Sequence, residues 1–145
     1  MDALPENPSD ERIREILTAT RRIAVVGLSP KPHRDSHRVA AYMLRAGFEI
    51  VPVYPREETI LGARVYRSVS EIEGEVDLVD VFRRTEELPS VAADVLKSRA
   101  AKKAAVWFQL ECVHPSAISD LTRAGRSVVY DLCLMVEHRR LMRAP

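Results

Sequence analysis

The chain has 145 residues, 46% apolar and 30% charged, with 22 Lys and Arg against 21 Asp and Glu and a net charge of +1. This length fits one domain that buries its own core, and the near-neutral balance excludes an overall field drawing it to nucleic acid or an anionic membrane. The apolar runs are far shorter than the roughly 20 residues that span a bilayer, and the acidic, polar start "MDALPENPSDERIREIL" lacks the basic and apolar stretches of a secretory signal, which predicts a cytoplasmic protein.

Residues 1–8 read as a flexible tail ahead of a domain over 9–145. Ser9 is the expected N-cap of a helix whose Ile13, Ile16 and Leu17 share one face. "RIAVVGL" follows as an uninterrupted apolar run ending at Gly27, as in a parallel strand covered on both faces. A helix is expected from Ser36 to Ala46, with Val39, Ala40, Met43 and Leu44 at helical spacing and Gly47 ending it in a left-handed conformation. Next come the strand "FEIVPV", a short strand around Val65 and Tyr66, and a helical turn in "SVSEIEG" capped by Ser68 or Ser70.

The second half reads as the strand "VDLVDVF", the helix "EELPSVAADVLKSRA", the strand "AAVWFQL", the helix "PSAISDLTRAG" with Pro115 in its first turn, the strand "SVVYD" and a last helix from Cys133 to Leu141. Strands alternating with helices predict an α/β chain: a single Rossmann-like doubly wound domain, its mainly parallel sheet of five to six strands covered by helices on both faces.

In such a sheet a ligand binds beyond the carboxyl ends of the strands, where the strand order reverses beside the first strand. That puts Gly27, Leu28 and the loop "SPKPHRDS" at the mouth, facing Arg83, Arg84 and Thr85 across a crevice. The loop has the makings of a phosphate site. Helix amides starting near Ser36 point outward, Ser29 and Ser36 add hydroxyls, Lys31, Arg34 and Arg38 add charge, and Pro30 and Pro32 restrict the loop before binding.

The absence of a second and third glycine after Gly27 disfavours ordinary NAD binding. NAD also calls for an acidic tip on the second strand, whereas this one reads Val53, Tyr54, Pro55, Arg56. A basic tip suits a ribose carrying its own phosphate, which fits both NADP and coenzyme A (CoA).

The stretches "IAVVGLSPKPHRDSHRVAAYMLRAGFEIVPVYP", "VDLVDVFRR", "VWFQ" and "DLCLMVEHRRL" resemble the small stand-alone CoA-binding domain proteins. These are similar to the nucleotide-binding domain of the succinyl-CoA synthetase alpha subunit and of ADP-forming acyl-CoA synthetases. The resemblance favours CoA or an acyl-CoA over NADP. It implies that the Gly27–Ser29 backbone, Lys31, Arg34 and Ser36 hold the diphosphate, and that Val53, Tyr54, Pro55 and Arg56 border the adenosine and its 3′-phosphate. Phe82, Arg83 and Arg84 then line the opposite wall, with Gln109 farther along the pantetheine path. Two positions depart from the family pattern. Glu111 and Cys112 follow "WFQ" where a glycine is usual, and Leu132 replaces an arginine before Cys133.

No nucleophile and base share a motif, and the chain stops before the phosphohistidine domain of the synthetases, so non-catalytic binding is the expectation. His33 and His37 flank the mouth; no metal motif is present. Cys112 and Cys133 have neither CxxC spacing nor a disulfide framework. Cys133, at the opening turn of the last helix, is the candidate redox thiol, with a small buried packing residue as the plainer reading. The alternatives to CoA binding are an NADP-binding redox enzyme or sensor and an interaction subunit of an acyl-CoA synthetase. Apolar surface in "AVWFQL" and "LCLMVEHRRL" is compatible with a homodimer.

Overall fold

In a computed structural model of the chain, which describes residues 4–142, helices and strands alternate as the apolar pattern predicts. Helix α1 (Asp10–Ala19) starts at Ser9, whose hydroxyl accepts from the Arg12 amide at 3.2 Å. Strand β1 (Arg22–Val26) leads through the basic loop into α2 (Asp35–Arg45), which Gly47 closes with a φ of 105°. Strand β2 (Glu49–Val53) precedes a small antiparallel hairpin of β3 (Thr59–Ile60) and β4 (Ala63–Arg64). Then come β5 (Leu78–Val81), α3 (Leu88–Lys97), β6 (Ala105–Phe108), α4 (Pro115–Arg123), β7 (Val128–Val129) and α5 (Leu134–Leu141).

The five long-range strands make one parallel sheet in the order β2-β1-β5-β6-β7. Successive side chains of a strand point to opposite faces, so the buried runs of β1, β5 and β6 feed two cores. Ala24, Val26, Val79, Val81, Val106 and Phe108 pack with Leu88, Val91 and Val95 of α3 and Ile118 and Leu121 of α4. Ile23, Val25, Leu78 and Trp107 pack on the other face with Ile13 and Leu17 of α1, Val39 and Met43 of α2, and Leu134 of α5. This is the Rossmann-like doubly wound arrangement. Pro52, which has no N–H to give, lies in the edge strand β2, where the ladder tolerates it.

Some local expectations change. The strand foreseen at Val65 and Tyr66 is the hairpin just upstream plus one parallel bridge, in which the Tyr66 amide donates to the Pro52 carbonyl and Tyr54 donates to that of Tyr66. The turn at Val69–Glu71 forms, but neither Ser68 nor Ser70 caps it through its side chain from within. The Asp94 carboxylate of α3 accepts from the Val69 and Ser70 amides and from the Ser70 hydroxyl instead. Helix α2 begins at Asp35, with Arg34 in the N-cap position.

Of the tail foreseen over 1–8, residues 1–3 lie outside the described residues, while Pro5 and Asn7 are tied down. Asn7 takes the amide of Tyr130 on Oδ1 and donates to its carbonyl from Nδ2, and the Tyr130 hydroxyl donates to the Pro5 carbonyl at 2.6 Å. Three hydrogen bonds to one residue join this stretch to the end of β7. Among the described residues no helix is long and apolar enough to cross a membrane.

Candidate functional site

Strand β1 lies between β2 and β5, and the chain leaves β1 and β2 on one side of it and returns to β5 on the other. A crevice opens at the carboxyl end of β1 for that reason. Gly27 stands at its base with a φ of 84°, and its amide donates to the Val53 carbonyl of β2. A Cβ here would meet the Phe82 carbonyl oxygen at 2.0 Å. The sheet itself therefore demands glycine, besides any ligand.

The loop after Gly27 is braced internally. Ser36 is not the N-cap but a buried residue whose hydroxyl accepts from the Ser29 amide at 3.0 Å. The His37 ring donates from Nδ1 to the Ser29 carbonyl, and the Ser29 hydroxyl accepts from the Lys31 amide. These bonds fold the loop back over the first turn of α2, whose leading amides have no partners inside the helix. Leu28 is wholly buried in the α1–α2–α5 core, so only its backbone faces the mouth.

Three clefts meet at this end of the sheet. The first, about 410 Å³, is lined by Gly27, Ser29, Lys31, Arg34, Ser36, Tyr54, Arg56 and Phe82. The second, about 600 Å³, runs along Val53, Tyr54, Pro55 and Arg83 toward Arg67, Ser68 and the start of α3. The third, about 550 Å³, passes Phe82, Arg83, Arg84, Gln109, Cys112 and Cys133 and is walled by the apolar Leu110, Met135 and Val136. Every candidate residue except Leu28 lines one of them, and Tyr54, Phe82 and Arg83 each border two.

Charge in the clefts is net basic. Among the described residues, Lys31, Arg34 and Arg56 have no ion-pair partner; Arg56 lies over the Tyr54 ring at 5.5 Å and donates to its hydroxyl at 3.4 Å. Arg83 is paired with Glu87, although its Nε is buried with no hydrogen-bond partner among the described residues. On the acidic side, Asp35 lies at the α2 terminus, where Arg38 pairs with it, and Glu86, Glu87 and Asp94 line the second cleft. Phe82 is half-buried, packing against the core on one side and lining two of the clefts on the other.

One group here was missed in the sequence. Asp80 is wholly buried in β5, and burial pushes its carboxyl up to about 7, with the hydrogen bond from Gln109 working in the other direction. The signal was present in "VDLVDVF": a carboxylate at the centre of a strand buried on both faces. Cys112 donates from Sγ to the Arg83 carbonyl, and burial raises its pKa. Cys133 holds the N-cap position of α5 and is half-exposed to the third cleft. Both thiols are free.

The two departures from the family pattern also have places. Glu111 adopts a φ of 67°, in the left-handed region that favours glycine, and does not line the clefts. Leu132 contributes its carbonyl, which accepts from the Trp107 indole at 2.8 Å.

Known proteins share this architecture. The chain is 45% identical over 133 residues to "Uncharacterized protein YneT" of Bacillus subtilis, covering 92% of this chain and 96% of that one. It superimposes with a TM-score of 0.89 on a hypothetical protein from Pyrococcus horikoshii, with 36% identity and 99% of both chains covered. A stretch of 59 residues, 40% of this chain and 13% of the other, is 42% identical to the alpha subunit of an ADP-forming acetate–CoA ligase of Pyrococcus furiosus. Residues 21–139 match the family described as CoA binding domain, and the chain belongs to that family.

Proposed function

We propose that the crevice at the end of β1 binds coenzyme A or an acyl-CoA without catalysing a reaction on it. The Gly27–Ser29 backbone, Lys31, Arg34, Ser36 and the first turn of α2 receive the diphosphate. Val53, Tyr54, Pro55 and Arg56 border the adenosine and its 3′-phosphate, Phe82, Arg83 and Arg84 form the facing wall, and the pantetheine arm runs past Gln109 through the more apolar third cleft.

The observation that carries this reading is the convergence on one cleft, beside a helix N-terminus, of Lys31, Arg34 and Arg56, three cations without ion-pair partners among the described residues, while the one carboxylate lining it, Asp35, is paired with Arg38. Family membership and the partial likeness to an acetate–CoA ligase subunit support it. Isothermal titration with CoA, acetyl-CoA, NADP and NAD tests it. CoA binding below millimolar concentration, weakened by salt, is the expected result. Binding of NADP alone, or of none of the four by folded protein, overturns it.

A further inference from the structure

Asp80 differs from everything around it. It pairs in register with Val25 of β1 and Trp107 of β6, on the face where the sheet meets α1, α2 and α5, and its exposure is 0%. A carboxylate in such a place has lost its hydration and needs partners. One oxygen has a partner: Oδ1 accepts from Gln109 Nε2 at 2.5 Å. The other, Oδ2, is buried with no hydrogen-bond partner among the described residues.

Gln109 connects this acid to the third cleft, which it lines while only 4% exposed. A side-chain amide has a donor end and an acceptor end, and an ionised carboxylate can only accept. Ionised Asp80 therefore takes the NH₂ end of Gln109 and leaves Oε1 as the atom available to the cleft. A protonated Asp80 has an O–H to place, and Gln109 Oε1 is the acceptor beside it. The amide then turns over and offers NH₂ to the cleft.

We infer that Asp80 is a positioning residue: by holding Gln109 through Nε2 it makes the wall of the third cleft a hydrogen-bond acceptor for an amide N–H on the extended arm of the ligand. This rests on the CoA reading, because the pantetheine arm carries two secondary amides and a plain nucleotide such as ADP carries none. With the Asp80 carboxyl raised to about 7, both orientations of Gln109 are reached near neutrality. The other charged or titratable groups at this end of the sheet are Arg83 just past β5, Cys112 and Asp131 in the turns after β6 and β7, Cys133 at α5, and Asp35, His37 and Arg38 on α2. Of these, Cys112 feels the Asp80 charge directly, so its own titration shifts with the substitution, and Gln109→Met, which leaves that charge in place, separates the two effects.

The test is titration of CoA and of ADP at pH 6 and pH 8 into the wild type, Asp80→Asn and Gln109→Met. In the wild type the ratio of CoA affinity to ADP affinity is expected to rise roughly three- to tenfold from pH 6 to pH 8, the scale of one hydrogen bond. In Asp80→Asn, whose side chain does not titrate, the ratio stays flat. Gln109→Met keeps the length of the side chain without the amide and also gives a flat ratio, so it decides the matter if Asp80→Asn does not fold. A flat ratio in the wild type, or the same slope in the variants, overturns the role of Asp80 while leaving CoA binding intact. Absence of CoA binding by the wild type at both pH values overturns both.

Discussion

The carbonyl oxygen of Phe82 lies 2.0 Å from where a Cβ on Gly27 would stand. That oxygen cannot move aside cheaply, because the Phe82 amide donates to the Val26 carbonyl at 2.8 Å and fixes β5 against β1. The backbone at Gly27, with its φ of 84°, is also one that side chains resist. Gly27→Ala is expected to destabilise the fold by more than about 3 kcal/mol, since both strain and overlap act on backbone. Urea denaturation followed by circular dichroism measures it, and a loss under 1 kcal/mol would contradict the geometry.

Arg34 separates ligand binding from folding. It lines the first cleft, is exposed, and holds no ion pair among the described residues. Arg34→Glu is expected to weaken CoA binding tenfold or more, as a charge-assisted contact worth about 1.5–3 kcal/mol is replaced by repulsion. The melting temperature should stay within about 2 °C of the wild type, because exposed substitutions change stability little. Titration and thermal melts on the same samples distinguish the two effects.

Asp80 should make stability fall as pH rises. Its folded pKa of about 7 lies above the unfolded 3.8, so the folded state binds the proton more tightly. The contribution is most favourable below pH 4, declines between pH 4 and 7, and is at its worst above 7. Asp80→Asn is therefore expected to be more stable than the wild type at pH 8, by an amount on the order of 4 kcal/mol at most, with the gap closing toward pH 4. Denaturant midpoints at pH 5, 6, 7 and 8 trace it, and a gap that widens on acidification would reverse the assignment.

Glu111 and Asp131 form a strained clasp. Both have positive φ, 67° and 57°, and the Glu111 amide donates to Asp131 Oδ1 at 2.8 Å. Glu111→Gly keeps that amide and relieves the left-handed conformation, so it is expected to raise stability by about 0.5–1 kcal/mol after the added freedom of the unfolded chain is deducted. A rise of a few degrees in melting temperature would show it.

The two thiols should differ in reactivity. Cys112 is buried, donates to the Arg83 carbonyl and has a raised pKa, whereas Cys133 is half-exposed in the third cleft. Alkylation by iodoacetamide at pH 8, followed by peptide mass spectrometry, is expected to label Cys133 well before Cys112. On the CoA reading, saturating ligand slows it. Equal rates would mean that the cleft does not distinguish them.

The sheet was legible where a residue's neighbours in sequence decide its structure. "IAVV" and "AVWF" are apolar without interruption and "LVDV" is broken only by Asp80, Ser9 and Pro115 announce helix starts, and the strand alternation brings Gly27 and Arg83 to one mouth. What stayed hidden depends on contacts across the fold. Ser36 looks like a helix cap, but its hydroxyl is taken by an amide seven residues earlier. Asp94 reads as a polar residue on a helix face, while its carboxylate in fact closes a turn 24 and 25 residues upstream. Asp80 and Gln109 are 29 residues apart and meet because β5 and β6 are neighbours.

The grip of Asn7 on Tyr130 bears on how the sheet ends. Strand β7 is the last in the order, and an edge strand offers its outward N–H and C=O groups to any chain that arrives. Just past β7, Asn7 occupies both such groups of Tyr130 with one side chain, in the manner of a one-residue sixth strand. The protein's own leading segment thereby stands where a neighbouring molecule would otherwise add on. Removing it would leave a sticky border, and the shortened protein would self-associate as its concentration rises.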